Sequence, residues 1–112
     1  TRTLGIEMAW RGIRLNAIAP GWVIVESQLK AMPDLTEKDL QETTKRLIPV
    51  ARAGSPLDIA KLAVFLSSDE AEFIVGQTII ADGGSTALMS LFPDYRSEIT
   101  AQFGAEYMPG LL

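Results

Sequence analysis

Arg14-Leu15-Asn16-Ala17-Ile18-Ala19-Pro20-Gly21 is the stretch on which the fold turns. Ile13 to Ala19 reads as a strand, with Ile13, Leu15, Ala17 and Ala19 on one face and Ile18 on the other. Both faces are apolar, the pattern of a strand in a parallel sheet covered by helices on each side. Pro20-Gly21 then ends it, because proline has no N–H for a ladder and glycine adopts turn geometry freely. Asn16 is the one neutral polar residue inside the strand. It is expected to satisfy a buried backbone group rather than to act in catalysis.

Upstream, residues 1–11 read as the end of a helix, apolar at Leu4, Ile6, Met8 and Ala9, with Gly12 as its stop. Downstream, from Trp22 to Val50, the pattern loosens. Met32-Pro33 breaks any helix begun near Ser27, since proline disfavours helical geometry in the residue before it. Thr36 with Asp39 three residues later is a capping arrangement, opening a helix with Leu40, Leu47 and Ile48 that ends at Pro49. A weakly apolar helical insert of this kind, here residues 22–50, is expected to serve as a lid. Ser55-Pro56-Leu57-Asp58 is a cleaner start, with Ser at the N-cap, Pro at the first helical position and an acid at the third. Ile59, Leu62, Ala63 and Leu66 follow at helical spacing, and Val64 and Phe65 widen the apolar face beyond what one sheet would cover. Gly76 marks a turn, Thr78 to Ala81 a short strand, and Asp82-Gly83-Gly84 its end, with Asp82 expected as a turn residue. Residues 85–112 form a tail whose Phe92, Phe103 and Tyr107 are expected to dock. The order helix, strand, helical insert, helix, strand gives an α/β class. Two strands do not make a stable open sheet, so further strands are expected from elsewhere.

Composition narrows the chemistry. A chain of 112 residues holds one modest core, so one domain is expected over 1–112. The net charge is −4 and no stretch concentrates Lys or Arg, which argues against nucleic acid and anionic membrane as partners. With no cysteine and no histidine, disulfides and thiolate zinc sites are excluded, and so are the usual general base and commonest metal ligand. No apolar run reaches the ~20 residues of a membrane span. A cytoplasmic protein without a metal is the expectation. The chain opens in mid-helix without methionine or a cap, so it is expected to be part of a longer polypeptide.

The order and spacing of several fragments resemble the classical short-chain dehydrogenases/reductases. They are Leu4-Gly5-Ile6-Glu7, Gly12 through Asn16, Ala19-Pro20-Gly21, Arg52 through Ala60, Phe65-Leu66-Ser67-Ser68, Gly76-Gln77-Thr78 and Asp82-Gly83-Gly84, covering Thr1 to about Thr86. The resemblance implies the carboxy-terminal part of a doubly wound, Rossmann-type parallel sheet with flanking helices. Ligands of such sheets lie beyond the carboxyl ends of the strands. It also implies an NAD- or NADP-dependent enzyme that moves hydride between the cofactor and a carbonyl or secondary alcohol.

On that resemblance Pro20, Gly21, Val23 and Val25 fall at the nicotinamide edge, with Gly21 letting the backbone approach a flat ligand. Many relatives carry threonine where this chain has Val25. Either Ser27 substitutes through a shifted loop or that hydrogen bond is absent. Trp22 stands either to wall a substrate pocket or to plug the sheet edge, and Met32 and Leu29 either to line the lid or to pack in its core. The family's proton-donating tyrosine is followed four residues later by lysine. Tyr95 is followed by Ile99 and Tyr107 by Leu111, so no catalytic residue is assigned to this chain. The expected partners are the amino-terminal half of the same domain, a small carbonyl or alcohol substrate, and further copies of the protein in a homodimer or homotetramer. The rival reading is a non-catalytic oligomerisation or binding module derived from such an enzyme.

Overall fold

The computed structural model describes residues 1–88. The expected docking of the tail by Phe92, Phe103 and Tyr107, and the two tyrosines considered as proton donors, lie outside them. Its elements run α1 (Arg2–Ala9), β1 (Ala17–Pro20), α2 (Glu26–Ala31), α3 (Glu37–Leu47), α4 (Pro56–Ser67), a 3₁₀ turn (Asp69–Ala71) and β2 (Thr78–Ala81). β1 and β2 pair in parallel, Ala17 opposite Thr78 through Pro20 opposite Ala81. Helices flank this pair. Both strands therefore finish level with each other, at Pro20-Gly21 and Ala81-Asp82.

The first strand is shorter than its alternation predicts, and the reason is local. Opposite Leu15 the segment leading into β2 is still turning at Gly76, whose φ is +70°. The backbone reaches across there only through Gly76 N–H to Leu15 O at 2.8 Å, and Ala17 N–H to Gln77 O at 2.8 Å. Asn16 bridges the gap as expected: its Nδ2 donates to Ile74 O at 2.8 Å and its Oδ1 accepts from Gln77 N at 3.0 Å. Ile13, outside the ladder, stays 53% exposed. Arg14 does what its place in an apolar run did not announce. Its guanidinium donates to Leu66 O at 2.7 Å, Ala71 O at 3.1 Å and Ser68 O at 3.0 Å. Leu66 O lies in the last turn of α4, where helical partners run out, while Ser68 O and Ala71 O also accept from the amides of Ala71 at 3.2 Å and Ile74 at 3.0 Å. One side chain thus ties β1 to the carboxyl end of α4.

Helix ends follow the sequence closely. Gly12 takes φ +73° after α1, and Gly5, the buried residue of that helix, seats it against Gly76. α2 stops before Met32-Pro33. Thr36–Asp39 and Ser55–Asp58 form complete capping boxes on α3 and α4. The core is small: Ile24, Leu40 and Ala53 with Leu29 packed against them, which roots the insert. Leu29 therefore belongs to packing. The broad face of α4 is uncovered as its width suggests, with Leu57 60%, Val64 70% and Phe65 43% exposed. Among the described residues no helix is long and apolar enough to cross a membrane.

The caps carry an acid signature. The Thr36 hydroxyl, then its amide, hold the Asp39 carboxyl below the ordinary range. Asp58 is lowered further, first by its hydrogen bond from Arg52 and then by the Ser55 amide and hydroxyl. A carboxyl whose folded pKa is depressed adds stability that is complete above its unfolded value, near 4. That stability is lost as the pH falls through the folded value. Neutral and mildly acidic pH are therefore expected to leave both caps intact. Below about pH 4 the Thr36 amide should lose its bonded NMR shift before the Ser55 amide does. Simultaneous loss would show that the Arg52 bond adds nothing to the α4 cap.

Candidate functional site

The level strand ends create the candidate site. Gly21 N–H donates to Ala81 O at 3.0 Å, which carries the pairing one residue beyond β1. The side chain that Gly21 lacks has no room. A Cβ there would stand 2.5 Å from Asp82 Cβ and 2.7 Å from Asp82 Cα. Close approach of the two strand ends is by itself a sufficient reason for this glycine.

Beyond the turn, Val23 forms an isolated parallel bridge with Gly54. Gly54 N–H donates to Trp22 O at 2.9 Å, and Ile24 N–H to Gly54 O at 3.1 Å. In such a bridge the flanking residues bond to the partner, so Val23's own N–H and C=O point to the opposite edge. The chain thus holds one amide donor and one acceptor, a residue apart from neither, just past the carboxyl ends of a parallel pair. Val25 is the N-cap of α2, with no side-chain cap bond, and is 37% exposed. Ser27 lies in the first turn of that helix.

Trp22, 37% exposed, lines a cavity of about 300 Å³ with Val23, Arg52, Asp58, Ile80 and Gly83 among its other walls. That volume sits at the small end of ligand pockets, about 300–1,000 Å³. Arg52 meets Asp58 in a two-pronged pair, Nη1 to Oδ2 at 2.7 Å and Nη2 to Oδ1 at 3.0 Å, and also donates to Ala53 O at 2.9 Å. Sequence reading found Asp58 as a cap and passed over Arg52. The signal was there in an arginine three residues before a capping box. Met32, at the end of α2 and 40% exposed, does not join this cavity. Trp22 and Val23 are brought together by it; Pro20, Gly21 and Val25 lie along the adjoining backbone.

Asp82 behaves as a turn residue. Its Oδ1 accepts from Gly84 N at 2.9 Å and its Oδ2 from Thr86 N at 2.8 Å. Those bonds, Thr86 foremost, keep its carboxyl ionised and below the ordinary range. Among the described residues no cluster of three or more acidic side chains is placed to hold a metal ion.

Comparison with known proteins bears on the fold and the family. Residues 1–86 match a family model described as Enoyl-(Acyl carrier protein) reductase. The chain is 49% identical over 84 residues to acetoacetyl-CoA reductase of Shinella zoogloeoides, covering 75% of this chain and 33% of that protein. The crystal structure of a short chain dehydrogenase family protein from Francisella tularensis superposes with a TM-score of 0.67 at 31% identity. That match covers 79% of this chain and 39% of the other. ElxO with NADP bound superposes at a TM-score of 0.66 and 30% identity, over 79% of this chain and 35% of that one. The chain spans about a third of the length of the curated relatives it matches.

Proposed function

The chain belongs to the short-chain dehydrogenase/reductase family, and from that premise we propose that it is the nicotinamide-edge and lid portion of an NAD(P)-dependent oxidoreductase. The observation that carries this reading is the outward-facing N–H and C=O of Val23, next to the Pro20-Gly21 turn. A nicotinamide carboxamide offers one acceptor and one pair of donors. A single extended residue with both backbone groups free of its own bridge is their natural complement. Pro20 and Gly21 set the depth of that edge, and Val25 adds an apolar contact.

The bound cofactor would supply or take the hydride, as dinucleotides do generally. This chain's share is orientation and exclusion of water. Val23 fixes the carboxamide, Trp22 forms one wall of the substrate space, and the insert from 22 to 50, with Met32 on it, covers the reacting atoms. No residue of this chain is assigned the proton transfer or the choice between NAD and NADP. The substrate is a small carbonyl compound or secondary alcohol. The uncovered apolar face of α4 supports an assembly of two or four copies, and a cytoplasmic location suits the cofactor.

Val25→Asp tests the placement because its two effects have opposite signs. At the N-cap of α2 aspartate should stabilise the helix by about 1 kcal/mol. At the cofactor edge it places a carboxylate that binding must desolvate beside an anionic ligand, and NADP⁺ and NAD⁺ affinity should fall at least about tenfold. Titration of the full-length protein by cofactor fluorescence, with thermal unfolding measured on the same sample, reads both. A stabilised protein with unchanged affinity for either dinucleotide would remove Val25 from the site.

A further inference from the structure

We propose that Gly83 is a positioning residue for the lid, the seat on which its carboxyl-terminal leg rests and from which its distance to the site is set. This rests on reading residues 22–50 as a lid. Besides the packing of Leu29 and Leu40 with Ala53, the backbone of the insert is bonded at each of its ends. Its amino end is fixed by the Val23–Gly54 bridge beyond β1. Its other end comes down from α3 through Ile48, Pro49 and Val50 onto the turn after β2.

That second contact is close and specific. Val50 N–H donates to Gly83 O at 3.1 Å. A Cβ on Gly83 would lie 2.7 Å from Ile48 Cγ2 and 2.8 Å from Val50 Cγ1. One on Gly84 would reach Pro49 Cβ at 3.1 Å. The leg then ends at Ala51, a non-glycine residue at φ +63°, in a turn closed by Ala51 N–H to Ile48 O at 2.8 Å. A residue without glycine's freedom keeps that conformation only where its surroundings hold it there. The seat itself is stiff, because both oxygens of Asp82 are engaged by amides of the same turn.

Val50 and Gly83 also stand side by side in the wall of the Trp22 cavity. Any movement of the leg therefore shifts one wall of the space in which a substrate would lie. The turn after β2 thus sets the position of that wall, although no residue of the turn belongs to the lid.

Gly83→Ala adds one methyl group at the seat. Gly12→Ala is the matched control: Gly12 has φ +73° and nothing within 4 Å of its would-be Cβ, so it carries the backbone strain without the collision. Hydrogen–deuterium exchange on the full-length protein reads the result. In Gly83→Ala, exchange over residues 37–51 should rise about tenfold with that of α4 unchanged, since a local opening leaves other units protected. Gly12→Ala should leave residues 37–51 at the wild-type rate. Val50→Ala, which removes one of the two colliding methyls at a half-exposed position, should restore part of the protection to Gly83→Ala.

Unchanged exchange over 37–51, or acceleration spread evenly through α4 and the strands, would overturn the proposal. Should Gly83→Ala fail to fold, Val50→Pro asks the same question from the lid's side. It deletes the N–H that bonds Gly83 O, and the same segment should loosen. The lid reading is judged separately, by adding NADP⁺ or NAD⁺ to the unsubstituted protein. Absence of slowed exchange over 22–50 with either would overturn that reading, while the seat would still stand or fall on exchange without cofactor.

Discussion

Gly21→Ala is expected to destabilise the full-length protein by about 3 kcal/mol, the upper end of what over-packing usually costs. The added Cβ meets the Cα of Asp82 at 2.7 Å, and a backbone atom cannot swing aside as a side chain can. Relief requires the ends of β1 and β2 to part. That breaks Gly21 N–H to Ala81 O and disturbs the turn organised by Asp82. Against a typical domain stability of roughly 5–15 kcal/mol, the loss is large. Denaturant midpoints of wild type and variant measure it. An unchanged midpoint would mean that the strand ends do not approach as described. The same variant should bind cofactor poorly, and that loss says nothing about direct contact at Gly21, because the site's floor has moved.

The second large effect is expected at Arg14. Arg14→Met keeps the length and apolar stem of the side chain but removes all donors to Leu66 O, Ser68 O and Ala71 O. Leu66 O, left without a partner, costs about 1–3 kcal/mol, less where water can reach it, while Ser68 O and Ala71 O keep the amides of Ala71 and Ile74 and lose only a second bond. A total near 3 kcal/mol is the expectation, with the carboxyl end of α4 the first region to lose protection. Arg14→Lys keeps the charge without the planar fork that reaches several carbonyls together, so it should recover less than half of the loss. Equal stability of the lysine and arginine forms would reduce the clamp to a simple charge at a helix end.

Much of this architecture could be read from residues whose meaning is local. Thr36 with Asp39 and Ser55 with Asp58 announce helix starts because the bonds they make span three residues. Gly12 and Met32-Pro33 announce stops for the same reason. What could not be read was set by partners far along the chain. Ile13 to Asn16 have the alternation of a strand, yet the ladder begins at Ala17, since the segment opposite is still turning at Gly76. Arg14 gave no hint of its role because the carbonyls it satisfies lie more than fifty residues away. At the candidate site, the Pro20-Gly21 turn was legible as a strand end. Its reason for holding glycine was not, because Asp82 supplies it. The bridge of Val23 to Gly54 left no pattern in either segment, and the pairing of Arg52 with Asp58 was hidden behind a cap that already explained the aspartate.

The parallel pairing of β1 with β2 also dictates a sequence of events in time. Asn16 meets Gln77 across 61 residues of chain. No part of the sheet described here can close until α2, α3 and α4 have been made and the ribosome has released β2. Contacts this distant demand loop closure before they return any stabilisation, and chains built on them fold slowly. The self-capped α3 and α4 need no such wait. A nascent chain should therefore carry helices early while β1 waits with an unpaired edge, the interval in which a chaperone would have most to do.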